Sequence, residues 1–171
     1  MRSISTPFQI LISISLLFSL FIYVFYRTEH TVVNELFIQL ISLENYRDMK
    51  LAISNFIPLH GVMVYSVPGG LWVFGLTLAS RHYYLRISKL KISLITFPLW
   101  TALSFEVIQF FGLSQGQFDL LDILFAVLFW AFAIIIQPIP EKQIALQPMK
   151  ESASRLCLAG YAIVFLACVS H

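Results

Sequence analysis

The chain has 171 residues, 58% of them hydrophobic and 12% charged, with a net charge of +2 and a mean hydropathy of +0.82. A soluble domain usually carries about 25% charged residues, so too little polar side chain is present here to cover the apolar surface of one soluble core. The small net charge and the lack of a basic stripe with interleaved aromatics give no support to a nucleic-acid partner. The composition is that of an all-α, polytopic transmembrane helix bundle forming a single membrane domain over residues 1–171.

The first apolar run, Phe8 to Tyr26, is long enough to span a bilayer (~20 residues). Arg2 gives it the basic flank of a signal peptide, but no small-residue cleavage site follows, so a retained anchor is expected over 8–26. Residues 27–60 are the most polar stretch. Leu36, Phe37, Leu40 and Ile41 repeat at helical spacing, as do Met49, Ile53 and Phe56 after an interruption by Glu44, Arg47, Asp48 and Lys50. Two short amphipathic helices fit this pattern. They either lie on the membrane surface or form a helical hairpin capping the bundle.

A second span is expected over 62–80. Pro68-Gly69-Gly70 either kinks or breaks it, or Pro68 starts the helix as its first residue, leaving Tyr65 and Ser66 at the interface. A third span is expected over 92–111 and a short turn over 112–117. A fourth span follows over 119–137 and a shorter fifth over 156–169. Cys157 and Cys168 share the fifth run, eleven residues and ~16 Å apart along a helix axis, too far to bridge each other. No CxxC, HExxH or Cys/His cluster occurs, so the sequence implies neither metal nor cofactor.

Basic residues set the expected orientation. Arg81, Arg86, Lys89 and Lys91 crowd one loop, and Lys142, Lys150 and Arg155 outnumber Glu141 and Glu151 in another. The positive-inside rule places these loops, and the N-terminus, in the cytoplasm. Five spans then leave the C-terminus outside. Tyr65, Trp72, Tyr83, Tyr84 and Trp100 fit interfacial anchoring or packing.

Glu106 is the most informative residue. An acid inside an apolar helix costs at least ~2.5–3.5 kcal/mol on insertion scales, so one that is retained there marks a functional site by default. Gln109 shares its helix face, three residues on, and is the nearest candidate to orient it. Asp119 and Asp122 open the next span, which the short turn makes an antiparallel neighbour. The two aspartates also fit a helix start, with Asp119 as N-cap and Asp122 as the third-position acid of a capping box. His60, just before span two, is either a solvated interfacial histidine or part of the same outward-facing pocket. Three carboxylates gathered in low dielectric do not all stay ionised, and a shared proton or a cationic ligand would relieve them.

The run Glu106-Val107-Ile108-Gln109, a short turn, and then Phe118-Asp119-Leu120-Leu121-Asp122 resembles the VanZ-like family of small bacterial membrane proteins. That family carries E-x-x-Q near the end of one span and R-x-x-D-x-x-D opening the next. The match covers about twenty residues. The family arginine falls at Gly116, its asparagine at Ala126 and its glycine at Phe129. The resemblance implies a multi-pass protein of the bacterial inner membrane with a role at the cell envelope, in the founding member resistance to teicoplanin-type glycopeptides.

The expectation is therefore a ligand-binding site of Glu106, Gln109, Asp119, Asp122 and His60, without covalent chemistry. It would take a cationic or polyhydroxylated envelope headgroup, from an envelope lipid or a glycopeptide, in a protein surrounded by membrane lipids. Two alternatives stand beside it. One is a membrane enzyme acting on a lipid-linked substrate with Glu106 as general acid/base, for which no Ser/His pair is convincingly spaced. The other is a structural accessory subunit with a membrane protein partner, whose acids only lock helices.

Overall fold

The computed structural model describes residues 6–27, 32–113, 117–138, 140, 143–146 and 152–168. Among these the chain is mostly helical, in the order α1 (Thr6–Tyr26), α2 (Val32–Ile41), α3 (Leu43–Phe56), α4 (Gly61–Ser80), β1 (Tyr83–Ile87), β2 (Leu90–Ser93), a 3-10 turn (Leu94–Thr96), α5 (Phe97–Phe110), α6 (Leu120–Ile136), β3 (Ile144–Ala145) and α7 (Ser152–Cys168). Two helices, α1 and α4, are long and apolar enough to cross a membrane; α5 and α6 are shorter apolar helices.

The central element is α4, which packs most extensively against α6 and α1 and also touches α5 and α7. Small residues let these helices approach closely, the usual device where no hydrophobic drive exists between apolar helices. A Cβ at Gly70 would lie 2.6 Å from the Phe129 ring of α6, and one at Gly75 would lie 2.7 Å from Ser15 Oγ of α1. On α7, a Cβ at Gly160 would meet Leu76 of α4 at 2.9 Å. A slot of this kind holds no extra methyl unless the facing side chain, Phe129, Ser15 or Leu76, gives way.

Pro68 lies inside α4, which runs through it unbroken. The expectation that the helix begins there does not hold. Proline removes the N–H that would bond the Val64 carbonyl, and this oxygen instead accepts from Arg27 Nε at 3.3 Å. The guanidinium also donates to the Tyr65 carbonyl, and Ser19 Oγ donates to the Pro68 carbonyl at 2.9 Å. The carbonyl freed by Pro68 is thus answered by Arg27, just past the end of α1, and the Pro68 carbonyl by Ser19, about two turns before that end.

The expected amphipathic pair is present as α2 and α3, broken at Ser42, whose φ is 70°. It caps the C-terminal end of α1. Val24, Phe25 and the fully buried Tyr46 pack together with Phe37, Ile38 and Ile53 around them. Tyr46 Oη donates to the Val24 carbonyl and Lys50 Nζ donates to the Arg27 carbonyl at 2.6 Å, satisfying acceptors that a helix end leaves without intrahelical partners. Phe56, 86% exposed, and Leu40, 80% exposed, stay uncovered.

The third span is shorter than expected. Ile92 belongs to β2, where it pairs with Leu85, and α5 has 14 residues, ~21 Å of helix. Pro98 at its first turn fixes the start. The basic run from Arg81 to Lys91, expected to be only a loop, is a β1–β2 hairpin extended by a parallel β3, with strand order β2-β1-β3. β3 pairs Ile144 with Tyr83 and Ala145 with Tyr84. The short sheet is an addition to the all-α expectation. Alternating polar and apolar residues in a basic segment read equally well as a loop, and only the later strand completes the pairing. Glu141, Lys142, Lys150 and Glu151 of the second basic loop, and Ser114 to Gly116 of the turn, lie outside the described residues.

On α6, Leu124, Leu128, Phe132 and Ile135 form an exposed stripe along one face. Soluble monomers rarely expose a continuous apolar strip of this kind.

Candidate functional site

The helix ends determine what meets. α5 stops at Phe110 because Gly112 adopts a left-handed φ of 67°, which favours glycine. Its N–H bonds the Gln109 carbonyl at 2.9 Å and the Leu113 N–H bonds the Ile108 carbonyl at 3.0 Å, closing a Schellman turn. The chain then returns into α6, capped by Asp119, whose Oδ1 accepts from the Leu121 N–H at 2.9 Å. The N-cap expectation for Asp119 is met.

A capping box would have the third-position acid reach back to the Asp119 N–H. Here that N–H donates to Glu106 Oε2 of α5, at 3.2 Å. Glu106, 7% exposed, takes the place of the box acid from the neighbouring helix. Asp122 is thereby released from the capping role expected of it. Its carboxylate turns toward α4 and accepts a hydrogen bond from Ser66, a residue only 1% exposed.

The expected pairing of Gln109 with Glu106 is not what the structure shows, since the hydrogen bond to Glu106 comes from the Asp119 backbone. Gln109 keeps the same face of α5, but its Oε1 is buried with no donor among the described residues, and Asp122 Oδ1 is in the same condition. His60 stands exposed before α4, its side chain capping nothing, and among the described residues no hydrogen bond joins it to the acids. A histidine at the first exposed turn of a helix points into solvent.

Arg27 is the residue that the sequence reading passed over. It sits at the C-terminal end of α1, with Cζ 4.2 Å from the Tyr23 ring centroid and 5.9 Å from that of Tyr65. Its charge acts on both Glu106 and Asp122. Gly116 occupies the position where the VanZ-like pattern has its arginine, while the Arg27 charge acts on the acids from the end of another helix, its own hydrogen bonds going to the Val64 and Tyr65 carbonyls. The signal that would have found it is charge balance: it is the basic residue ending a span on the same side as the acids. The site thus draws Arg27 from α1, Ser66 from α4, Glu106 and Gln109 from α5, and Asp119 and Asp122 from α6.

The arrangement has acceptors in excess. Three carboxylates and the Gln109 amide oxygen stand beside the Ser66 hydroxyl, the Gln109 NH2 and the backbone N–H groups of Asp119 and Leu121, with the Arg27 guanidinium bonded to α4 carbonyls. No nucleophile–base pair lies among these groups. Among the described residues, no group of three or more His, Cys, Asp or Glu side chains is placed to hold a metal ion. No family model matches the chain, and no curated protein or solved structure is similar to it.

Proposed function

We propose that the protein is a multi-pass membrane protein of the VanZ-like type that binds a donor-bearing envelope ligand, cationic or polyhydroxylated, at the Glu106–Asp122 site. The observation that carries this reading is the pair of buried acceptors, Gln109 Oε1 and Asp122 Oδ1, left without donors beside a buried glutamate. An unpaired buried polar atom costs ~1–3 kcal/mol, and ammonium or hydroxyl groups of a ligand remove that cost. The exposed stripe on α6 supports a lipid-facing helix, and the basic hairpin supports a cytoplasmic position for the opposite end of the bundle. In this arrangement the N-terminus is inside, the C-terminus outside, and the site opens to the extracytoplasmic face.

Native mass spectrometry of the detergent-purified protein tests binding. The parent should retain a small envelope component, and the Glu106→Gln/Asp122→Asn variant should lose it with an unchanged melt. Equal retention by both, or none by the parent, overturns the reading. Cysteines placed at Glu44 and Gln115 should label from outside while one at Ser88 should not; the reverse pattern overturns the orientation. In a glycopeptide-sensitive bacterium, any teicoplanin resistance conferred by the parent should disappear in the same double variant.

A further inference from the structure

Beside the acid site, an apolar groove runs between α1 and α7. Leu17, Leu20 and Tyr23 of α1, Trp72 of α4, and Gly160 and Ile163 of α7 line it. Its rim is open, with Leu17 64% and Ile163 47% exposed. The α1 residues lining it reach from Leu16 to Tyr23, about 10 Å of axis, against roughly 15 Å for the hydrocarbon of one leaflet.

The groove meets the site through one shared side chain, Tyr23, which lines the groove and carries the Arg27 guanidinium on its ring. Tyr23 closes its upper end, and the Arg27 guanidinium lies 4.2 Å from the same ring. The order along this path is apolar groove, then cation, then the acceptors of Glu106 and Asp122. A phospholipid carrying a primary amine has the matching order of tail, phosphate and ammonium. Two of the five Arg27 N–H donors serve the Val64 and Tyr65 carbonyls, which leaves three to meet phosphate oxygen, and an ammonium offers three N–H donors to oxygen acceptors.

We propose that the groove holds one acyl chain of a phosphatidylethanolamine-type lipid, its phosphate on Arg27 and its ammonium among Glu106, Gln109 and Asp122. This rests on the reading of the acid cluster as a binding site for a donor-bearing headgroup, and it names the class of ligand. Phosphatidylglycerol has the phosphate and tail but no cation. Phosphatidylcholine has the cation but no N–H donor.

The test uses the full chain, delipidated in detergent, with native mass spectrometry against the three lipids at equal acyl composition. Phosphatidylethanolamine should bind at least tenfold more tightly than either of the others. Leu17→Trp and Ile163→Trp fill the groove from exposed positions. They should weaken lipid binding at least tenfold while leaving the melt and the binding of water-soluble glycerophosphoethanolamine unchanged. Glu106→Gln/Asp122→Asn should lose both ligands. If glycerophosphoethanolamine binds through the acids but the tryptophan variants hold the lipid as before, the tail assignment fails alone. If neither glycerophosphoethanolamine nor the acid variants show an effect, the headgroup site itself fails. Equal binding of all three lipids overturns the amine selectivity.

Discussion

Two buried polar clusters sit on α4, fourteen residues or ~21 Å apart, and they are built on opposite principles. At the Ser80 end, Ser80 Oγ lies 2.8 Å from Tyr161 Oη and 3.5 Å from Cys157 Sγ. Two hydroxyls and a thiol face one another and lock α4 to α7. All three groups can donate as well as accept, so the cluster is self-sufficient. At the Ser66 end, carboxylate and amide acceptors outnumber donors, and two of them find none among the described residues. A closed cluster is a staple between helices. A cluster that leaves buried acceptors open is what the proposed binding of a donor-bearing ligand rests on.

The largest expected effect on this contrast comes from Arg27. Arg27→Met removes the donor that compensates Pro68 and the cation facing the acids. Loss of charged hydrogen bonds should cost ~1.5–3 kcal/mol in a denaturant melt in detergent. Arg27→Met combined with Pro68→Ala, which restores an N–H to the Val64 carbonyl, should recover part of it. No recovery would dissociate Arg27 from the proline.

Glu106→Leu follows, because it strands the Asp119 N–H, which donates to Glu106 Oε2. The expected loss is ~1–3 kcal/mol, while Glu106→Gln keeps an accepting oxygen and the stability. Equal melts for Glu106→Leu and the parent would mean that the α5–α6 bond carries no weight. In the closed cluster, Ser80→Ala should cost ~1 kcal/mol by leaving Tyr161 without its partner. Ser80→Ala/Tyr161→Phe should cost less than the sum of the single changes, and strict additivity would break the reading of a mutual lock.

Asp119 tests cap against charge. Asp119→Asn and Asp119→Ser should be nearly neutral in the melt, and Asp119→Ala should cost ~1 kcal/mol.

The smallest effect is at His82, outside the spanning helices. Burial, and then the charge of Arg81, hold its pKa below the ordinary 6.5. Its Nε2 accepts from Arg81 Nε at 3.2 Å, which a protonated ring does not do. The unfolded chain therefore binds this proton first, and the stabilisation is full above pH 6.5 and lost as pH falls from there toward the folded-state pKa. Between pH 7.5 and 5.5 the melt of His82→Gln should fall less than that of the parent; parallel falls would remove His82 from the acid response.

The chain order, the helical character and the acids were readable from residues alone because periodicity, capping and hydropathy are local. Phe8 to Tyr26, the 32–56 helical pair, the run to Ser80 and the Asp119 cap follow from side-chain spacing within one segment, and all four are present. The pairing of Glu106 with the Asp119 N–H was not legible, because a capping box supplied by its own Asp122 has the same sequence as one supplied by a neighbouring helix. Arg27 was hidden for a related reason. It is thirty-seven residues from the carbonyl it serves, and only the packing of α1 against α4 at Gly75 and Ser15 brings it there. Gln109 shows the converse, since a residue of suitable chemistry at suitable spacing was given Glu106 as its partner, while Glu106 takes its hydrogen bond from the Asp119 N–H. Sequence determined which groups are costly to bury; the crossings of α4 with α1, α5 and α6 decided which of those groups meet, because a hydrogen bond depends on distances that no local pattern encodes.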